Sequence, residues 1–130
     1  MLYSGVDIIE VARIERAVQR WGDRFLNRIY TPAEIRAYAR RTTSLAARWA
    51  AKEATGKLLG VGLRGLGGAD SGSLPWTDIE VLADKSGRPS LTLRGAALAR
   101  AQELGLRELS VSLSHTDQHA IALVVALAAP

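Results

Sequence analysis

Val11, Ile14, Val18 and Trp21 recur at steps of three and four. That spacing lines one side of an α-helix, so they predict a helix through VARIERAVQRW that Gly22 closes. Ahead of it, Leu2, Val6 and Ile8, with Gly5 between them, predict a strand running straight into that helix. A short RFLNRIY segment follows. In TPAEIRAYARR, Thr31, Pro32 and Glu34 take the cap, first-turn and capping-box positions of a second helix. Thr43 or Ser44 is the expected cap of a third, LAARWAAKEATGKLLG. On its wheel Ala46, Trp49, Ala50, Glu53 and Lys57 share one narrow face, while Arg48, Lys52 and Thr55 fall opposite. The glycine-rich stretch over residues 60–75 is predicted to be a long loop without regular structure.

Beyond the loop the period falls to two. Thr77, Ile79, Val81 and Ala83 share a face, DKSGRP turns the chain and SLTL answers, which predicts a hairpin. RGAALARAQELG reads as a helix closed by Gly105. Val111, Leu113 and His115 then alternate with Ser110, Ser112 and Ser114, and a turn at TDQ leads to a final strand from His119 to about Leu127. Strands so close together near the end predict an antiparallel sheet. Because the final strand is apolar on both faces, it requires cover on both, from helices or from another chain. The expected fold is α+β, an antiparallel sheet packed against helices in one domain over residues 1–130.

Composition narrows the function. A chain of 130 residues with 48% hydrophobic positions suits one hydrophobic core. Without cysteine, disulfides, thiolate zinc sites and a cysteine nucleophile are excluded. The amino terminus has no basic stretch ahead of an apolar core, and the longest apolar run, from Ala120, is about half the ~20 residues of a membrane helix. A cytoplasmic protein without membrane contact is therefore expected. The net charge of +4 favours an anionic partner. Arg13, Arg16, Arg20 and Arg24 concentrate that charge in one stripe with little acidic interleaving, which suits an acidic docking partner.

Three groups carry candidate chemistry. Glu53 and Lys57 have the spacing of a surface salt bridge, yet they fall in an apolar stripe, where charges are costly unless a metal, a phosphate or a wet cleft compensates. Asp7 interrupts the apolar GVDII. With Glu10 it has the spacing of a capping box; with a second carboxylate and a lysine it would suit Mg²⁺ and a substrate phosphate. His115 closes a strand, where it either packs or reaches a phosphate. Gly60, Gly62 and Gly65 spell a dinucleotide motif but follow a helix, and TGKLLG lacks the hydroxyl residue of a phosphate loop. A small basic nucleic-acid-binding module would explain the charge and the arginines but not Asp7, Glu53 and Lys57. A Mg²⁺-dependent phosphatase is another use of the same carboxylates.

GVDIIEVARIE, LAARWAAKEATGK, WTDIEV with SGRP, and VSLSHT together resemble the holo-acyl-carrier-protein synthase family, a branch of the phosphopantetheinyl transferases, in order, spacing and total length. The resemblance implies transfer of 4′-phosphopantetheine from coenzyme A to a serine of an apo-acyl carrier protein in fatty-acid or polyketide synthesis. It implies Mg²⁺ on Asp7 and Glu53, and Lys57 beside the coenzyme A pyrophosphate. It also implies Arg48, His115 and Thr116 at the nucleotide end, and a homotrimer with active sites between protomers. Nucleic acid is then no partner. Charge building on the phosphoryl oxygens needs the metal and Lys57, and the serine proton needs a base, either Glu53 directly or a water bound to the metal. The arginine stripe becomes the carrier-docking surface.

Overall fold

The computed structural model describes residues 1–65 and 73–130. Part of the glycine-rich stretch therefore lies outside the described residues. The elements run β1 (Leu2–Glu10), α1 (Val11–Trp21), α2 (Asp23–Ile29), α3 (Pro32–Tyr38), α4 (Thr42–Leu59), β2 (Ile79–Ala83), β3 (Pro89–Leu93), α5 (Gly95–Glu103), β4 (Leu106–His115) and β5 (His119–Ala128). RFLNRIY forms α2, whose Phe25, Leu26 and Ile29 are buried. The Thr31 capping box forms in full. Neither Thr43 nor Ser44 caps α4, which begins two or three residues earlier, after Arg41 and without a side-chain cap.

The expected sheet is rearranged. The β2–β3 hairpin forms but stands apart, and β1 joins the last two strands in the order β1-β5-β4, antiparallel throughout. One face of this sheet carries Gly5, Asp7 and Ile9 from β1 with Ala120, Ala122, Val124 and Ala126 from β5, and α4 packs across it. Alanines and a glycine let the helix approach closely. A Cβ added at Gly5 would stand 2.0 Å from the Ala54 carbonyl oxygen, so only glycine fits there. Among the described residues the opposite face has no cover: Val6, Ile8, Ile121, Leu123 and Leu127 are all at least 40% exposed. The described residues thus cover the last strand on one side only.

α4 departs most from its wheel. Arg48, Lys52 and Thr55, expected on an outer side, are buried, with Lys52 and Thr55 fully so. Between Leu45 and Leu59 only Glu53 and Lys57 are not buried. Sheet, α1, β2 and α5 close on the helix, and among the described residues the pair marks the one opening between Leu45 and Leu59. Lys52 is accommodated by complete pairing. Its ammonium donates to Glu34 Oε1 at 2.8 Å, to the Ile79 carbonyl at 2.5 Å and to the Trp76 carbonyl at 3.2 Å. Glu34 in turn accepts from the backbone N–H of Thr31 and of Val81, both at 2.9 Å. Among the described residues no buried side-chain nitrogen or oxygen lacks a partner. Phe25, Trp49 and Trp76 stack beside this network, with the two indoles 4.3 Å apart. No helix among the described residues is long and apolar enough to cross a membrane.

Candidate active site

Asp7 lies within β1, paired opposite Ala122, on the face that meets α4. The capping reading of Asp7 and Glu10 fails. β1 runs unbroken through Glu10, paired residue for residue with β5, so Asp7 stops four residues short of α1, whose N-cap Glu10 makes no side-chain cap bond. The close seating of α4 at Gly5 instead brings Asp7 to the helix opening. Lys57 Nζ donates to Asp7 Oδ1 and to the Val6 carbonyl, each at 3.0 Å.

Glu53 stands one turn before Lys57 and is half-buried. Burial pushes its carboxyl above the ordinary range and the charge of Asp7 adds to that, while Lys57 and Arg13 pull it back. Two carboxylates distant in sequence therefore act on one another electrostatically, with Lys57 paired to Asp7 and the charges of Lys57 and Arg13 also felt at Glu53. Glu53 and Lys57 open onto a shallow pocket of about 180 Å³ walled by Gly56, Gly60, Gly62 and Leu63. No group of three or more carboxylate, histidine or cysteine side chains suited to hold a metal gathers among the described residues.

The other expected site residues are placed elsewhere. Arg48 turns into the core, where Nε donates to the Val81 carbonyl at 3.2 Å and the guanidinium lies 3.7 Å from the Tyr38 ring centroid. Burial lowers its pKa against the opposing pull of Tyr38 and Glu34. His115 and Thr116 are exposed at the end of β4, where the Thr116 hydroxyl accepts the backbone N–H of Gln118 and of His119. β5 separates them from β1, which sets His115 roughly 10 Å across the sheet from Asp7's strand. Arg13, Arg16, Arg20 and Arg24 are all exposed. Trp21, expected on the inward side of α1, is 48% exposed.

Residues 4–124 match the description of the 4′-phosphopantetheinyl transferase superfamily. The chain belongs to this superfamily. Its relatives place it in the holo-[acyl-carrier-protein] synthase branch, a family of enzymes. It is 54% identical over 127 residues to the holo-[acyl-carrier-protein] synthase of Herpetosiphon aurantiacus, covering 98% of this chain and 99% of the relative. It is 61% identical over 112 residues to that of Roseiflexus castenholzii, covering 86% and 81%. Among solved structures, the Chronobacterium ammoniagenes synthase with coenzyme A superposes with a TM-score of 0.82 at 32% identity, covering 100% of this chain and 99% of that one. The Helicobacter pylori synthase in complex with coenzyme A gives 0.80 at 32% identity, covering 95% and 99%. The α+β architecture expected from the sequence is the fold of these enzymes.

Sequence reasoning missed the buried pair of Glu34 and Lys52, on another side of the helix that carries Glu53 and Lys57. The signal was present in the composition of α4. Ala46, Ala47, Ala50, Ala51 and Ala54 gather small side chains on one side of the helix and mark a close neighbour there, while Lys52 lies on another side, among Leu45, Arg48 and Leu59.

Proposed function

We propose that the protein transfers the 4′-phosphopantetheine arm of coenzyme A to a serine hydroxyl of an apo-acyl carrier protein and releases adenosine 3′,5′-bisphosphate. The observation that carries this reading is the meeting of Asp7, Glu53 and Lys57 at the one opening that the described residues leave between Leu45 and Leu59. The donor set fits Mg²⁺. Two mutually repelling carboxylates gain from a divalent cation between them, and a pair leaves its remaining positions to water and diphosphate oxygens. Asp7 and Glu53 would hold the ion, which supplies charge neutralisation at the diphosphate when bound.

The chain's own groups supply the rest. The serine oxygen bonds to the phosphorus bearing pantetheine as the bond from that phosphorus to the bridging oxygen breaks, and the nucleotide leaves with the electron pair. Lys57 already spends two of its N–H donors on β1 and has a third for the phosphoryl oxygens. Glu53, whose proton affinity is raised by burial and by Asp7, takes the serine proton. Intact mass spectrometry tests the reaction directly. After incubation with coenzyme A, Mg²⁺ and the protein, apo-carrier gains one phosphopantetheine arm; a competent carrier of unchanged mass overturns the reading.

The exposed arginines of α1 and α2 receive the acidic carrier. Arg13→Glu or Arg20→Glu raises the carrier KM by about tenfold at low ionic strength, and the wild-type KM itself climbs with salt. Reversals that spare the carrier KM reduce the stripe to a solvated surface. Family membership leaves the nucleic-acid-binding alternative without support, and a cytoplasmic setting suits coenzyme A chemistry.

The protein assembles as a homotrimer through the uncovered sheet face, whose exposed Ile8, Ile121, Leu123 and Leu127 make a continuous apolar surface. His115 and Thr116, two strands from Asp7, then serve the nucleotide end of a neighbouring protomer's site. Leu123→Asp should convert trimer to monomer in light scattering and abolish transfer. A wild-type monomer with full activity overturns the assembly.

A further inference from the structure

The geometry points to Trp21 as the apolar anchor of the carrier-docking surface, a site that takes a hydrophobic side chain from an acidic helix. This rests on the transfer reading above and adds a contact that the arginines do not supply. Arg13, Ala17 and Trp21 follow at steps of four along α1 and form one row on its surface. The row begins at the site, since the charge of Arg13 acts on Glu53, and it ends roughly 12 Å further along the helix. A carrier whose serine reaches Glu53 would lie along this row.

Trp21 is the exposed indole of the three, at 48%, against 9% for Trp49 and 4% for Trp76. It is the last residue of α1, and Gly22 follows with φ of 54° and open space around it. The Arg20 guanidinium lies 4.9 Å from the ring centroid, which holds that charge in place and occupies one face of the indole. Ala17, small between two long neighbours, floors a shallow depression of about 500 Å³ walled by Arg16, Arg20 and Trp21. An apolar side chain seated over Ala17 against the indole, flanked by carboxylates on Arg16 and Arg20, fits both the shape and the charge. Tryptophan and arginine are enriched among the few residues that carry most of the binding energy at protein interfaces.

The two contributions separate by salt. Ion pairs weaken with ionic strength and burial of an indole does not. Steady-state transfer to apo-carrier is measured at low and high salt for the wild type, Trp21→Ala, Trp21→Phe and Arg20→Glu. Trp21→Ala raises the carrier KM about tenfold at both salts, changes kcat at saturating carrier by less than about twofold, and is largely rescued by Trp21→Phe. The Arg20→Glu defect shrinks at high salt. On the wild type alone, apo-carrier protects the accessible tryptophan emission from acrylamide, and in Trp21→Phe no carrier-dependent change remains. A Trp21→Ala KM within about twofold of wild type, or unprotected emission, overturns the anchor. If the wild type leaves carrier unmodified, the transfer reading falls, and the protection measurement still decides whether Trp21 binds the carrier.

Discussion

Alanine at Glu53 or at Asp7 abolishes transfer, by about a thousandfold or more, while the protein keeps its fold. Both halves of that expectation follow from the geometry. Glu53 is half-buried beside a like charge, so its ionised form is disfavoured in the folded protein and truncation relieves the fold. Asp7 loses its ion pair to Lys57, but the lysine side chain is 57% exposed, and a pair of that kind contributes about 0–1 kcal/mol. Melting temperatures therefore stay close to wild type. The rate falls because the two carboxylates would hold the ion facing the diphosphate, and either alone leaves it loosely held. Intact-mass kinetics across a Mg²⁺ titration check this: Glu53→Ala and Asp7→Ala should stay inactive or need far more Mg²⁺. Wild-type rates at wild-type Mg²⁺ in either variant would end the metal assignment.

Glu34→Leu has the largest expected effect on stability. It leaves Lys52 wholly buried with backbone carbonyls as its hydrogen-bond partners and only the charge of Glu80, which makes no hydrogen bond to it, in opposition. Removing one member of a buried ion pair destabilises by about 3–5 kcal/mol, roughly 10–20 °C of melting temperature for a chain of this size. The sign of the pH dependence is a further check. Burial lowers the Lys52 pKa and Glu34 raises it again, so without Glu34 it falls further below 10.5. Between that lowered value and 10.5 the unfolded chain binds a proton that the folded chain does not, and stability rises with pH. The defect of Glu34→Leu should accordingly shrink from neutral toward alkaline pH. Glu34→Leu with Lys52→Met removes both charges and should recover part of the loss, though not all, because the N–H groups of Thr31 and Val81 also lose their acceptor. A single variant that melts within about 2 °C of wild type refutes the account.

The chain disclosed its local devices and concealed its long-range ones. The Thr31 capping box, the β2–β3 hairpin and the helix-closing glycines are written in a few adjacent residues and formed as expected. The pairing of β1 with β5 joins residues more than a hundred positions apart, and no local period encodes it. Asp7, Glu53 and Lys57 were legible as charges in unusual places. The reason was inverted: a wheel ranks the sides of a helix but not how many are covered, so Lys52 passed for a surface residue and Glu53 for an intruder in the core. Trp21 was misplaced similarly, since its spacing fits the inner row but the last residue of α1 is left 48% exposed.

The contact between Gly5 and the Ala54 carbonyl has a wider consequence. Side chains alternate along a strand, so sliding β1 by one residue past β5 would send Asp7 to the uncovered side and point Val6 at Lys57. Such a slip would also drive the Ser4 or Val6 side chain into the helix backbone where Gly5 now lies, and the strand is barred from it. An inserted or deleted residue before position 7 should thus be as disabling as losing the carboxylate itself, whereas the same length change in the turn after Asp84 should be tolerated.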